Sequence, residues 1–202
     1  ELTECAAEDP ALLVRYKARV TLRALNLPVP HDPPNTVYHL KVNHRYAPKV
    51  TRTVALQAKQ TLEDLHGAIQ SAFDWDNDHL YAFYLSGEKF DQDSEVRCPW
   101  MDDDGPMFDF GFDLSPETAS YHAGEVELGF LGLLPKHAFL YYFDFGDSHE
   151  FDVKVVAMHT DPGPGKYPQV IAATGGNLLQ YPDYDDEENG TWDDADEQGD
   201  EA

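Results

Sequence analysis

The segment that most limits how this chain can fold is residues 61–73, where the spacing of apolar residues predicts an amphipathic helix. Thr61 can cap the first turn, and Glu63 and Asp64 place negative charge at the positive end of the helix dipole. The apolar stripe consists of Leu62, Leu65, Ile69, Ala72 and Phe73. Such a stripe must be buried, so we expect this helix to lie across a sheet. His66 flanks the stripe, and we expect a hydrogen-bonded boundary residue there rather than a ligand.

Six other runs have the composition or the two-residue alternation that is typical of β-strands. They lie at residues 37–43, 50–56, 79–85, 138–143, 151–156 and 166–171. Short connections follow the first and the fourth of these runs, which predicts two antiparallel hairpins. Pro168 restricts the last run to a sheet edge, because proline cannot donate to a central ladder. The sequence therefore predicts an α+β fold: a mostly antiparallel sheet of five to seven strands with one principal amphipathic helix (61–73) packed on one face.

Composition divides the chain into three parts. Residues 1–35 predict a helical appendage, with a helix from about residue 10 to residue 26 and a linker, residues 27–34, that contains four prolines. Residues 36–180 hold the α+β domain, and residues 181–202 form an acidic tail.

Acidic residues outnumber basic ones by 38 to 14, a formal net charge of −24. The tail, residues 181–202, has eleven acids and neither lysine nor arginine, which predicts a disordered, solubilising segment. The alternative is an acidic arm that binds a basic partner or a divalent ion, with Tyr184 and Trp192 as anchors. Direct binding to nucleic acid or to an anionic membrane is not expected, because both need clustered positive charge. The expected partner is therefore a protein, whose identity the sequence does not give.

The apolar runs are short and cysteine is scarce. No stretch approaches the roughly 18 apolar residues of a membrane span, and Cys5 and Cys98 form no disulfide framework. We therefore expect a soluble, cytoplasmic protein that is a monomer or a weak oligomer.

Two acidic loops that also contain histidine are candidate sites for a divalent metal ion. The candidate ligands are Asp76, Asp78, His79, Asp144, Asp147 and His149. Carboxylates combined with imidazole suit zinc, manganese or iron, with positions left open for water. Solvated acids in two connecting loops are the alternative, since the sequence does not fix the strand order that would bring the loops together. The aspartate spacing from Asp74 to Asp78 is not an EF-hand, because Leu85 stands where a glutamate is required.

The predicted connection after residue 143 contains Asp144, Phe145 and Gly146. These residues match the metal-binding tripeptide of protein kinases by letter only, since neither a Gly-rich loop nor a His-Arg-Asp loop accompanies them. We expect Gly146 to permit the tight backbone of a hairpin bend.

Several segments together carry a resemblance to a known family. They include TLEDLHGAIQ at 61–70, FDWDNDHLYAF at 73–83 and FLYYFDFGD at 139–147, with shorter matches at 38–42, 48–52, 166–170 and 180–182. Over about residues 37–182 the chain resembles the Ri-plasmid ORF-three-like family (pRiA type), whose members are often filed as transposon passenger proteins. The resemblance implies an α+β fold and no established activity. Many relatives have Trp where Thr51 and His149 stand and His where Phe151 stands, so a family site that uses those side chains would be altered here.

Three functions are compatible with these features. The first is a non-enzymatic interaction or accessory protein, since the sequence contains no complete catalytic constellation. The second is a metal-dependent hydrolase that uses the two loops with aspartate and histidine. The third, suggested by the transposon label, is a DNA-processing accessory protein. The one basic feature of the chain that favours this role is the predicted N-terminal helix, which contains Arg15, Lys17, Arg19 and Arg23.

Overall fold

The computed structural model describes residues 1–100 and 121–181 of the chain. The helices are α1 (Leu2–Glu8), α2 (Leu12–Ala24), α3 (Leu62–Phe73) and α4 (Leu128–Leu131), and a 3₁₀ turn lies at Ala123–Glu125. The strands are β1 (Val37–His44), β2 (Thr51–Gln57), β3 (Tyr81–Tyr84), β4 (Glu95–Arg97), β5 (Ala138–Phe143), β6 (His149–His159) and β7 (Gln169–Thr174). The acidic tail beyond Tyr181 lies outside the described residues.

The seven strands form one antiparallel sheet in the order β4-β3-β5-β6-β1-β2-β7. The predicted hairpins are β1–β2 and β5–β6, and the pairing of β6 with β1 joins them into one sheet. Strand β7 lies at an edge, as the position of Pro168 predicts. The α+β class and the mostly antiparallel sheet are therefore confirmed.

Helix α3 forms in the predicted segment because both of its ends are capped. Thr61 Oγ1 accepts a hydrogen bond from the Asp64 N–H at 3.2 Å, and the Asp64 carboxylate accepts one from the Thr61 N–H at 2.9 Å. This reciprocal pair is a capping box, and Asp74 ends the helix in the left-handed conformation. The apolar stripe enters the core against the sheet, where Leu62 and Phe73 are fully buried.

His66 lies in the interior and belongs to a chain of hydrogen bonds that crosses the core. Its Nε2 faces Asn77 Oδ1, which is an acceptor, so the ring proton is on Nε2. Its Nδ1 therefore accepts from the Tyr141 hydroxyl at 2.6 Å, and that hydroxyl in turn accepts from Gln70 Nε2 at 2.7 Å. The ring also stacks on Tyr81 with centroids 3.7 Å apart. His66 is thus hydrogen-bonded, as expected, but it is buried rather than at the boundary.

Helix α2 packs on the same core as α3. Leu12 and Tyr16 belong to the main core cluster, and the Tyr16 ring meets Phe130 edge to face with centroids 6.1 Å apart. The division between residues 1–35 and the domain that follows stays a prediction. The helices of the described residues all lack the length and apolar character that a membrane crossing requires.

Two buried arginines fasten α2 to the segment around α4. The Arg19 guanidinium donates to three main-chain carbonyls, and Arg15 Nε donates to the Gly132 carbonyl at 2.7 Å. The carbonyls that Arg19 contacts are those of Ala6, Gly129 and Phe130, at 2.8, 3.0 and 3.3 Å. The guanidinium groups of both side chains are therefore buried and bonded to backbone oxygens rather than exposed to solvent.

Gly132 ends α4 where these two arginines converge, and its replacement by alanine is expected to destabilise the protein by about 2 kcal/mol. Its φ is +72°, and a Cβ there would lie 2.7 Å from Arg19 Cζ and 2.9 Å from Arg15 Nε. Urea denaturation measures the loss. The matched control is Gly67→Ala in the middle of α3, where a Cβ would meet nothing within 4 Å. That change should raise stability by roughly 0.5–1 kcal/mol, and equal stabilities for the two variants would contradict the prediction.

The opposite face of the sheet has a smaller apolar cluster. It contains Ala82, Tyr84, Leu140 and Tyr142. Phe145, from the connection between β5 and β6, packs against this cluster. The connection is therefore anchored on the face that α3 does not cover.

Candidate functional site

A cavity of about 300 Å³ lies at the end of the sheet where β1 finishes and β6 begins. It is lined by His44, Tyr46, Asp147, Ser148, His149, Leu178, Leu179 and Gln180. These residues come from three places: the end of β1, the connection between β5 and β6, and residues 177–181, which we call the C-terminal segment. The antiparallel pairing of β1 with β6 brings the first two together, because His44 is paired with Phe151.

His44 is the buried member of this lining. The alternation along β1 puts it on the covered face of the sheet together with Tyr38, Leu40 and Val42. Its side chain is 6% exposed, and its ring lies 4.9 Å from the Phe151 ring. Neither Nδ1 nor Nε2 has a hydrogen-bond partner in the described structure. His44 is therefore a buried polar side chain whose hydrogen-bonding groups have no partner in the described structure.

His149 is the second imidazole of the cavity and begins β6 on the same face. Its ring centroid lies 5.8 Å from that of His44 and 4.6 Å from that of Trp75, and its Nε2 has no partner within the described residues. Burial lowers the pKa of His44 to about 4. Burial also lowers the pKa of His149, although the charges of Asp144 and Asp147 oppose it. Both rings are therefore neutral at pH 7, and each has one lone pair and one N–H.

The connection between β5 and β6 holds Asp147 at the rim of the cavity. Asp144 and Ser148 have φ values of 56° and 59°, so the left-handed positions of this connection lie on either side of Gly146. Asp144 tolerates this conformation because its Oδ1 accepts from the N–H groups of Gly146 and Asp147, at 2.8 and 3.2 Å. The loop is thus fixed by its own side chain, and the Asp147 carboxylate is left exposed.

The C-terminal segment forms the remaining wall. The Trp75 indole N–H donates to the Leu178 carbonyl at 2.7 Å, which ties this segment to the loop after α3. The Gln180 side-chain amide both accepts a hydrogen bond from this loop and donates one to it. Its Oε1 accepts from the Asp76 N–H at 2.7 Å, and its Nε2 donates to the Asp76 carbonyl at 3.1 Å. Asp78 adds to this attachment, because its Oδ1 accepts from Gln180 Nε2 at 3.3 Å and from the Tyr181 hydroxyl at 3.4 Å. The wall is therefore held by hydrogen bonds to three residues of that loop.

The two loops that were predicted to bind metal do meet. His79 Nε2 lies 3.5 Å from Asp144 Oδ2 and 3.7 Å from Asp78 Oδ1. The contact arises because β3, which follows the first loop, pairs with β5, which precedes the second. This answers the question of strand order that the sequence leaves open.

The other three predicted ligands lie nearby but have different surroundings. Asp147 and His149 line the cavity, and Asp76 is exposed with its backbone bonded to Gln180. In the part of the chain that the structure describes, no group of three or more His, Cys, Asp or Glu side chains is placed to hold a metal ion. Metal binding by these residues stays a prediction.

Sequence reasoning did not identify several residues of the cavity, above all His44, Tyr46 and Gln180. A signal for His44 was present, because the β1 alternation places a polar residue on the apolar face at the strand end. No local signal marks Gln180, since its partners are about a hundred residues away in sequence. Two positions that the family resemblance singled out also belong here: His149 lines the cavity, and Phe151 packs against His44.

Known proteins support this architecture. The crystal structure of MM3350, a protein of unknown function from Methanosarcina mazei Go1, matches with a TM-score of 0.54 and 21% sequence identity. The match covers 72% of this chain and 73% of that one, and at such identity it shows the fold alone. No curated protein matches the chain. The family model for plasmid pRiA4b ORF-3-like proteins matches residues 36–179, which is more than half of the chain. The chain therefore belongs to the plasmid pRiA4b ORF-3-like family.

Proposed function

We propose that the chain is a non-enzymatic binding module that holds a small ligand, or one side chain of a partner protein, in this cavity. The observation that carries the proposal is His44, which is buried at the cavity wall with both ring nitrogens unpartnered in the described structure. A buried polar group without a partner costs about 1–3 kcal/mol. A bound ligand would supply the missing hydrogen bond and remove that cost. Concave sites with a few convergent polar groups are the usual places for small ligands.

The surroundings of Ser148 favour binding over nucleophilic catalysis. Its hydroxyl accepts a hydrogen bond from the Tyr142 hydroxyl at 2.7 Å. Tyr142 belongs to the apolar cluster on the far side of the sheet, whereas His149 lies on the side that α3 covers. Ser148 is therefore held toward Tyr142, and the arrangement differs from the base-activated hydroxyl that a serine nucleophile needs.

The test is a screen of small polar fragments against the full chain by ligand-observed NMR, with wild type compared to His44→Phe. Phenylalanine keeps the ring but removes both nitrogens, so fragments that occupy the cavity should bind about tenfold more weakly or not at all. His39→Phe is the matched control. His39 is on the same strand but on the opposite face, where its ring meets His159.

The control variant should bind every fragment as the wild type does. Binding that is unchanged in His44→Phe would overturn the proposal, and so would a wild type that binds no fragment at millimolar concentration. Circular dichroism of both variants checks that the fold is retained.

A metal-dependent hydrolase is the second candidate, and the approach of His79 to Asp144 at 3.5 Å is the observation that favours it. The carboxylates and imidazoles would come from Asp76, Asp78, His79, Asp144, Asp147 and His149. Elemental analysis of protein purified without chelators separates the two candidates. Substoichiometric metal, with no thermal shift on addition of zinc or manganese, would dispose of the hydrolase.

A DNA-processing role receives little support from the N-terminal helix. Arg15 and Arg19 are buried and bonded to backbone carbonyls, which leaves Lys17 and Arg23 as the exposed cations of α2. Two exposed charges on an acidic protein do not form the clustered positive surface that phosphate binding needs.

A further inference from the structure

We propose that the ligand of the cavity is an organic cation, either an ammonium or a guanidinium group, and this proposal rests on the binding function proposed above. The lining contains one carboxylate, that of Asp147, and neither lysine nor arginine. It also contains three ring nitrogens that are unpartnered in the described structure, both of His44 and Nε2 of His149. The free hydrogen-bonding capacity of the site is therefore rich in acceptors and carries negative charge.

The number and type of free acceptors match a cationic donor. An ammonium group has three N–H donors and a guanidinium has five, and neither has an acceptor. Two imidazole lone pairs and one carboxylate can receive three such donors, whereas the lining offers one free imidazole N–H, that of His44. Hydrogen bonds from a charged donor are roughly twice as strong as bonds between neutral groups.

The charges around the lining favour the same class. Asp144 and Asp147 both act electrostatically on His149, and Asp144 is itself buried. A carboxylate or phosphate ligand would enter this field without a cation among the lining residues to offset the repulsion. A cation would be attracted by the same field, so the charge pattern selects against anions.

Aromatic rings lie beside the two histidines, and one of them, Tyr46, lines the cavity itself. Tyr46 lines the cavity with its ring 5.8 Å from that of His44, and Trp75 and Tyr181 lie 4.6 and 6.4 Å from the ring of His149. A cation within about 6 Å of an aromatic face is stabilised by the ring electrons. A bare divalent ion has less support, because the described residues do not provide three ligands placed around one point.

Isothermal titration of the full chain with four small probes tests the charge of the ligand. The cationic probes are n-butylammonium and methylguanidinium, and the comparison probes are butyrate, which is anionic, and 1-butanol, which is neutral. We expect both cations to bind at least about tenfold more tightly than butyrate or butanol.

A blocked Ala-Arg-Ala peptide identifies the source of the cation. Tighter binding than methylguanidinium indicates an arginine of a partner protein, and weaker binding indicates a free cation.

Asp147→Asn is the informative variant, because this side chain is exposed and its loss should leave the fold intact. It is expected to weaken the two cations about fivefold to tenfold, without affecting butanol. Asp161→Asn removes the same charge beyond the far end of β6, which is about 30 Å from His149 at the usual rise per strand residue. This control should bind the cations as the wild type does.

The outcomes separate this proposal from the one on which it rests. Butyrate or butanol binding as tightly as the cations, in a manner that depends on His44, would overturn the cation assignment and leave the binding function standing. Failure of all probes and of the fragment screen would overturn both. Stoichiometric binding of zinc chloride that is lost in Asp147→Asn would replace the organic cation with a metal ion.

Discussion

Replacing Arg19 with methionine is expected to lower the free energy of unfolding by about 3–5 kcal/mol. Methionine fills much of the volume of arginine, so the loss comes from hydrogen bonding rather than from a void. Three carbonyls, from α1 and α4, would lose the guanidinium in a region where Arg19 is 2% exposed. The Gly129 carbonyl would keep its bond from the Asp32 N–H at 3.2 Å, so the loss falls mainly on Ala6 and Phe130. Each buried carbonyl left without a partner costs about 1–3 kcal/mol. The relief from no longer burying a guanidinium offsets part of that sum.

Guanidinium chloride denaturation followed by circular dichroism measures the effect. The matched control is Lys17→Met, which removes an exposed cation from the same helix. Lys17 pairs with Asp93 at 3.2 Å, and both side chains are exposed. An ion pair of this kind contributes less than about 0.5–1 kcal/mol. If the two variants lost similar stability, the role assigned to the Arg19 hydrogen bonds would be wrong.

The second large effect depends on pH. The stability advantage of the wild type over His66→Gln is expected to shrink by on the order of 3 kcal/mol between pH 7 and pH 4. Burial lowers the pKa of His66 from 6.5 to about 4, although its hydrogen bond with Asn77 opposes the change. As the pH falls below 6.5, the unfolded chain takes up a proton at this imidazole while the native ring stays neutral. Stability that is fully present above pH 6.5 is therefore lost as the pH approaches 4.

The comparison isolates one group, because glutamine takes up no proton and every other titratable group is present in both proteins. Urea denaturation at pH 7, 6, 5 and 4 gives the two stability curves. NMR titration of the His66 ring provides an independent measurement, with an expected midpoint near 4. A midpoint above 6, together with a constant stability difference, would show that the ring is not held neutral by the core.

The elements predicted well are those whose causes are local. Helix α3 follows from the cap at Thr61 and the stripe that ends at Phe73, because both signals lie within the helix itself. The two hairpins follow from alternation and short connections in the same way. Pro168 restricts β7 to an edge through its missing N–H, which is a property of one residue.

The features that were missed depend on contacts between distant parts of the chain. The four basic residues of the predicted N-terminal helix were the one feature compatible with DNA binding, yet the packing of α2 beside α4 buries Arg15 and Arg19. The candidate site shows the same limit. Its histidine at the end of β6 was identified from a loop pattern, whereas His44 becomes significant only when β1 and β6 are paired. Long-range strand pairing is not encoded in any short window of sequence.

The C-terminal segment forms a wall of the cavity and directly precedes the acidic tail in the sequence. Gln180 fastens that wall to the Asp76 backbone, and the first acid of the tail, Asp183, stands three residues later. The cavity wall and the first acid of the tail are therefore only three peptide bonds apart, so the position of one limits the position of the other.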